Sequence, residues 1–172
     1  MATTYTLIDK AILTASQATV SFTGLGSFSS TYTDLLVKVS ARSDSSTTGI
    51  NIQFNSSATG YSMIRLYGTG SGSPASDTGG GSTFISNTMI NDSGYTANTF
   101  GNGEIYIPNF SSSNHKSISV DGVSENNATT ALMMLTAGLW SNTAAITSIQ
   151  LTSNVGNFVS GSSFYLYGLK NS

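Results

Sequence analysis

Cysteine is absent from the 172 residues, which excludes a disulfide scaffold and any thiolate zinc site and leaves the core to hold the fold alone. Charge is almost as scarce. Only 8% of residues are charged, against roughly 25% in ordinary globular domains, and the net charge of −2 offers no cationic field to a phosphate backbone. Nucleic acid is therefore not an expected partner. Long apolar runs are missing too: nothing approaches the ~18 residues of a membrane span. The opening MATTYTLIDKAILTAS lacks a charged segment followed by about 7 to 15 apolar residues, so it does not read as a secretory signal. The expectation is a soluble chain made in the cytoplasm, without a membrane partner. At this length it is expected to form one domain over residues 1–172, with residues 1–16 as a docking arm or the first strands.

What is present is hydroxyl and aromatic. Ser and Thr make up about a third of the chain, and eight Phe and eight Tyr accompany them. The apolar residues alternate. Leu35, Val37, Val39 and Ala41 share one face of an extended segment, with Asp34, Lys38, Ser40 and Arg42 opposite. The same period of two runs through Ile50, Ile52 and Phe54, through Ile118 and Val120, and through Ser62, Ile64, Leu66 against Tyr61, Met63, Arg65, Tyr67. Further strands are expected at 5–8, 18–22, 84–90, 104–107, 132–140, 146–151 and 164–169, separated by Gly, Ser, Asn and Asp clusters that suit tight turns. About ten short strands with such punctuation predict an all-β, antiparallel β-sandwich of jelly-roll type. The expected core includes Leu35, Val37, Val39, Ile52, Phe54, Ile118, Val120 and Leu166. Gly68 to Ser82 reads as an exposed loop. Leu66-Tyr67-Gly68 echoes Leu166-Tyr167-Gly168, a weak hint of equivalent strand ends.

Catalytic chemistry finds little footing. A serine hydrolase needs a base, an orienting carboxylate and commonly a G-x-S-x-G turn. His115 is the single histidine, sits in a polar run and has no such turn beside it, so it reads as a solvated side chain. The Gly-rich stretch at 68–82 contains no Lys and does not match a phosphate loop. Carboxylates at Asp92, Asp121 and Glu125 offer oxygen ligands for calcium, but neither loop follows the twelve-residue calcium pattern. No enzymatic activity, cofactor or metal site is expected. Tyr95 and Trp140 are the candidate contacts for a glycan or a protein partner, since flat aromatic faces stack on sugar rings when exposed.

In the carboxyl-terminal third, Gly138-Leu139-Trp140, Ala145 to Ile149, Gly156-Asn157-Phe158 and Gly161 to Gly168 resemble a family of tailed-phage virion structural proteins, frequent in phages of marine bacteria and cyanobacteria. Segments 32–42 and 66–68 are similar to that family as well, so the likeness runs through most of the chain after residue 18. These are strand and turn patterns, not catalytic motifs. The resemblance implies a capsid decoration or cement subunit on the outer surface of a phage head, with the major capsid protein or other virion proteins as partners and the virion as location. A tail-fibre or receptor-binding module recognising a surface glycan is the alternative. Self-association, as a homotrimer, is expected because sandwich edges need covering and this chain has few charges to block them.

Overall fold

The computed structural model describes residues 4–46, 49–70, 72–86, 90–125 and 131–170. Strand β3 (Asp34–Ala41) shows how local pattern becomes architecture. Its β-branched and aliphatic side chains at 35, 37, 39 and 41 all turn inward, none more than 4% exposed. β3 lies between β12 (Ser163–Leu169) and β8 (Gly101–Ile107), both antiparallel to it. The other strands are β1 (Tyr5–Ile12), β2 (Thr19–Phe22), β4 (Ile50–Phe54), β5 (Tyr61–Gly68), β6 (Ala75–Ser82), β7 (Ile85–Ser86), β9 (Lys116–Glu125), β10 (Ala131–Trp140) and β11 (Ile149–Ser153). Among the described residues the helical structure is one 3-10 turn at Leu25–Phe28.

Two antiparallel sheets result. The large one runs β1-β12-β3-β8-β9-β10-β5-β6 and the small one β2-β11-β4-β7. Side chains from both sheets meet in one hydrophobic cluster, so the fold is an all-β sandwich. The eight residues expected in the core are all buried, with at most 4% exposure. Each such side chain contributes about 1.5–3 kcal/mol by leaving water. Phe54, Tyr61 and Trp140 form the largest aromatic group, with Tyr61 and Trp140 stacked at 6.2 Å. The Tyr61 hydroxyl accepts the Phe54 backbone N–H at 2.8 Å, a bond that ties β4 of one sheet to β5 of the other.

Gly138 marks the close approach between the sheets. A Cβ there would stand 2.8 Å from Cδ1 of Ile85 on β7 and 3.0 Å from Cγ1 of Ile118 on β9. Gly168 on β12 is similarly confined, by Tyr32 and Ile8.

Several elements differ from the sequence expectation. The second half of the 68–82 segment is not a loop: Ala75–Ser82 is strand β6, paired with β5. Glycine, serine and aspartate have poor strand propensity, but pairing to a formed neighbour overrides it, helped by an Arg65 fork on Asp77 at 2.6 and 2.7 Å. The strand expected over 84–90 is present only as Ile85–Ser86, with 87–89 outside the described residues. Of the two alternatives expected for the first segment, residues 5–12 take the strand form, as edge strand β1 with a bulge between Leu7 and Asp9. The tripeptide echo is not a structural equivalence, because Leu66 is 55% exposed on the outward face whereas Leu166 is fully buried.

Candidate functional site

The sandwich has two solvent faces, and they differ in kind. On the small sheet, β2, β11 and β4 turn Thr19, Ser21, Gln150, Thr152, Asn51 and Gln53 outward, every one polar and uncharged. The large sheet is apolar where it should be wet. Ile64 (57%) and Leu66 (55%) on β5, Met133 (46%) and Leu135 (45%) on β10, and Val123 (39%) on β9 are all exposed. Strand register places them together: Leu135 lies opposite Leu66, and Met133 opposite Val123. Cross-strand neighbours stand about 4.5–5.5 Å apart, so the five side chains form one contiguous patch.

The cause is that β5 and β10 are apolar on both faces. Tyr61 and Met63 serve the core from β5 while Ile64 and Leu66 remain outside. An antiparallel sandwich strand with one wet side alternates apolar with polar, so a doubly apolar strand signals a second buried contact. Between the ridges lie shallow depressions. One of about 590 Å³ is lined by Ile64, Leu66, Asp121 and Leu135, and a neighbour of about 470 Å³ by Ile64, Thr78, Gly79 and Leu139.

Charged residues on three adjacent strands form a transverse stripe. Asp121 on β9, Glu104 on β8 and Lys38 on β3 are consecutive cross-strand neighbours. Lys38 Nζ donates to Glu104 Oε2 at 2.7 Å, a bond that holds the ammonium above its ordinary range. Asp121 borders the aliphatic patch. Desolvation there, and then the Glu104 charge, raise its carboxyl above the usual value.

Beyond the stripe the outward face is aromatic. Tyr5, Tyr165, Tyr167 and Tyr106 stand on β1, β12 and β8, around the buried Leu36. Tyr106 donates its hydroxyl to Asp34 Oδ2 at 2.6 Å, and that bond, with burial, pushes the phenol up to about 12. Asp34 Oδ1 also accepts the Asn109 backbone N–H at 2.9 Å, so this carboxylate is a structural pin.

The sequence candidates fall elsewhere. Trp140 is 1% exposed and packed within the core, so it presents no face to a sugar. Tyr95 is half-buried on a loop fastened by Arg42, whose guanidinium donates to the Tyr95, Thr96 and Thr99 carbonyls at 2.9, 2.8 and 3.2 Å. The structure does not bring Tyr95 and Trp140 into one site. His115 is exposed, with Ser141 Oγ at 3.4 Å from Nδ1, and among the described residues no carboxylate orients its ring. Lys116 is buried, its Nζ donating to the carbonyls of Ser112 and Asn114, and desolvation lowers its pKa. Among the described residues no three His, Asp or Glu side chains gather as a metal site. No family model matches the chain, and no curated protein matches it.

Proposed function

We propose that the chain is a non-enzymatic virion structural protein, a decoration or cement subunit on the outside of a phage head, with the outward face of its large sheet seated on the major capsid protein. The observation that carries this reading is the contrast between the two solvent faces: aliphatic Ile64, Leu66, Val123, Met133 and Leu135 on one sheet, only hydroxyls and amides on the other. The small sheet then faces the medium. The sequence resemblance to tailed-phage virion proteins supports the same assignment.

Strand order supports the finer jelly-roll reading. With the β5-β6 and β9-β10 hairpins set aside, the sheets run β1-β12-β3-β8 and β2-β11-β4-β7, and every remaining connection but β4 to β7, which are neighbours in the small sheet, crosses between them. Eight strands in two sheets linked in this way are the jelly-roll plan. The two hairpins extend one sheet, and the exposed aliphatic patch sits on that extension.

Attachment of this kind is weak per copy and strong over a shell, and with so little charge at the contact it depends little on salt. The test is a quantified protein census of purified virions, followed by rebinding of the purified chain to particles lacking it. A copy number on the order of hundreds, with rebinding abolished by Leu135→Asp and retained by Gln150→Asp, is expected. A few dozen copies would move the chain to the tail, and absence from the particle would overturn the reading.

A tail-fibre module that recognises a glycan is the second reading, favoured by the outward row of Tyr5, Tyr165, Tyr167 and Tyr106. It predicts that Tyr167→Ala reduces binding on a glycan array.

A further inference from the structure

The sandwich has four strand edges, and three of them are defended. β1 carries Asp9 and Lys10 and a bulge between Leu7 and Asp9; β7 is two residues long and β2 four. Charged side chains, bulges and shortness are the devices that stop an edge from templating another strand. Over Ala75–Gly79, where it stays in register with β5, β6 is neither short nor bulged, and a single charged residue, Asp77, stands on it. It contains no Lys, Arg or Pro, its side chains are small, and its irregularity with β5 is confined to the far end, between Tyr61 and Met63. Its one charge, Asp77, is already matched by the two-pronged Arg65 bond at 2.6 and 2.7 Å. Among the described residues no strand pairs with its free side.

We infer that β6 is a dimerisation edge, which pairs antiparallel with β6 of a second copy of this chain about a twofold axis. Self-pairing suits its residues. A register centred on Thr78 sets Thr78 against Thr78 of the second copy, a favourable hydroxyl pair, and Ser76 against Gly80. It also sets Asp77 against Gly79, so no like charges meet. The short side chains leave nothing to hold the two backbones apart. The pairing joins the large sheets edge to edge, with β5 of each copy about 14 Å from its mate across three strand spacings. The two aliphatic patches then lie side by side on one continuous face. The inference stands independently of the virion assignment, because it concerns the purified chain alone.

Sedimentation velocity on the purified full chain, from about 1 μM to about 1 mM, tests it. The expected result is reversible growth to twice the chain mass. Amides of residues 75–80 should gain protection from hydrogen exchange as concentration rises. Ser76→Lys with Thr78→Lys, which sets cations face to face across the joint, should weaken the dimer about 100-fold or more. Leu135→Asp, on the sheet face instead of its edge, should leave dimerisation unchanged. A chain that stays monomeric throughout, a trimer, or association lost in Leu135→Asp but kept in the double Lys variant would each overturn the inference. Should the double Lys variant misfold, the wild-type exchange pattern decides alone: unchanged amides at 75–80 would overturn it.

Discussion

Asn55 holds together two segments far apart in sequence. It occupies the turn after β4 with φ 52°, a left-handed conformation that Asn tolerates better than most residues. Its Oδ1 accepts the Thr147 and Ser148 backbone N–H groups at 2.7 and 3.1 Å and the Thr147 hydroxyl at 3.1 Å, while Nδ2 donates to the Ala145 carbonyl at 2.8 Å. The side chain therefore fixes the approach to β11. Asn55→Ala removes four bonds, orphans two backbone donors and puts a Cβ-bearing residue without compensation at positive φ, so a loss of about 2–3 kcal/mol is expected. Asn55→Asp keeps the acceptor and loses the Ala145 bond, and should cost about half as much. Urea unfolding of the two variants checks the order; equal stability of Asn55→Ala and wild type would refute the pin.

At the scale of elements, the distance between sheets is set by what β10 presents to β7. Gly138 leaves no room for a methyl group against Ile85 and Ile118. Gly138→Ala overpacks this contact, with an expected cost of about 1–3 kcal/mol. Because the clash is with a specific side chain, the cost should be coupled to it. Ile85→Ala makes a cavity in the wild-type background but relieves strain in Gly138→Ala, and a double-mutant cycle should show a favourable coupling of about 1 kcal/mol. Additive costs would mean that the sheets have moved apart instead.

The whole molecule is so poor in charge that its pH profile reduces to a few groups. Asp44 is held below the ordinary carboxylate range by the backbone N–H of Asn157 and then by its amide. Its contribution to stability is present above the ordinary value of 3.8 and is lost as pH falls through the depressed one. Asp121 has the opposite sign. Its raised carboxyl makes the charged form unfavourable in the fold, a penalty present at neutral pH and relieved on acidification toward 3.8. Asp121→Asn should therefore stabilise the protein at pH 7 by up to about 1 kcal/mol, screened by solvent, and not at pH 3. On the alkaline side Tyr106 keeps its proton in the fold up to about 12, so stability falls as pH rises from 10 toward 12. Tyr106→Phe should flatten that limb. Urea midpoints measured from pH 3 to 11 test both signs, and a destabilised Asp121→Asn at pH 7 would contradict the first.

Local contrast decided the class of fold. Strands such as β3, with apolar and polar residues in strict alternation, carry their inward face in the sequence, because burying one side of an extended chain needs only that period. The same holds for the eight expected core residues. Where both faces are apolar the period is silent: nothing local in β5 says that Tyr61 and Met63 go inward and Ile64 and Leu66 outward, a choice made by packing against Trp140 and Phe54. Nor does Ala75–Ser82 announce a strand, since its extended form comes from β5 alongside and Arg65 across the ladder. The outward patch was half legible, as doubly apolar strands, but its members lie up to about 70 positions apart and meet only through register. Residue identity and spacing determined which segments extend and which side chains seek the core; long-range strand pairing alone decided which apolar surface stayed outside, because burial is settled between strands and not within them.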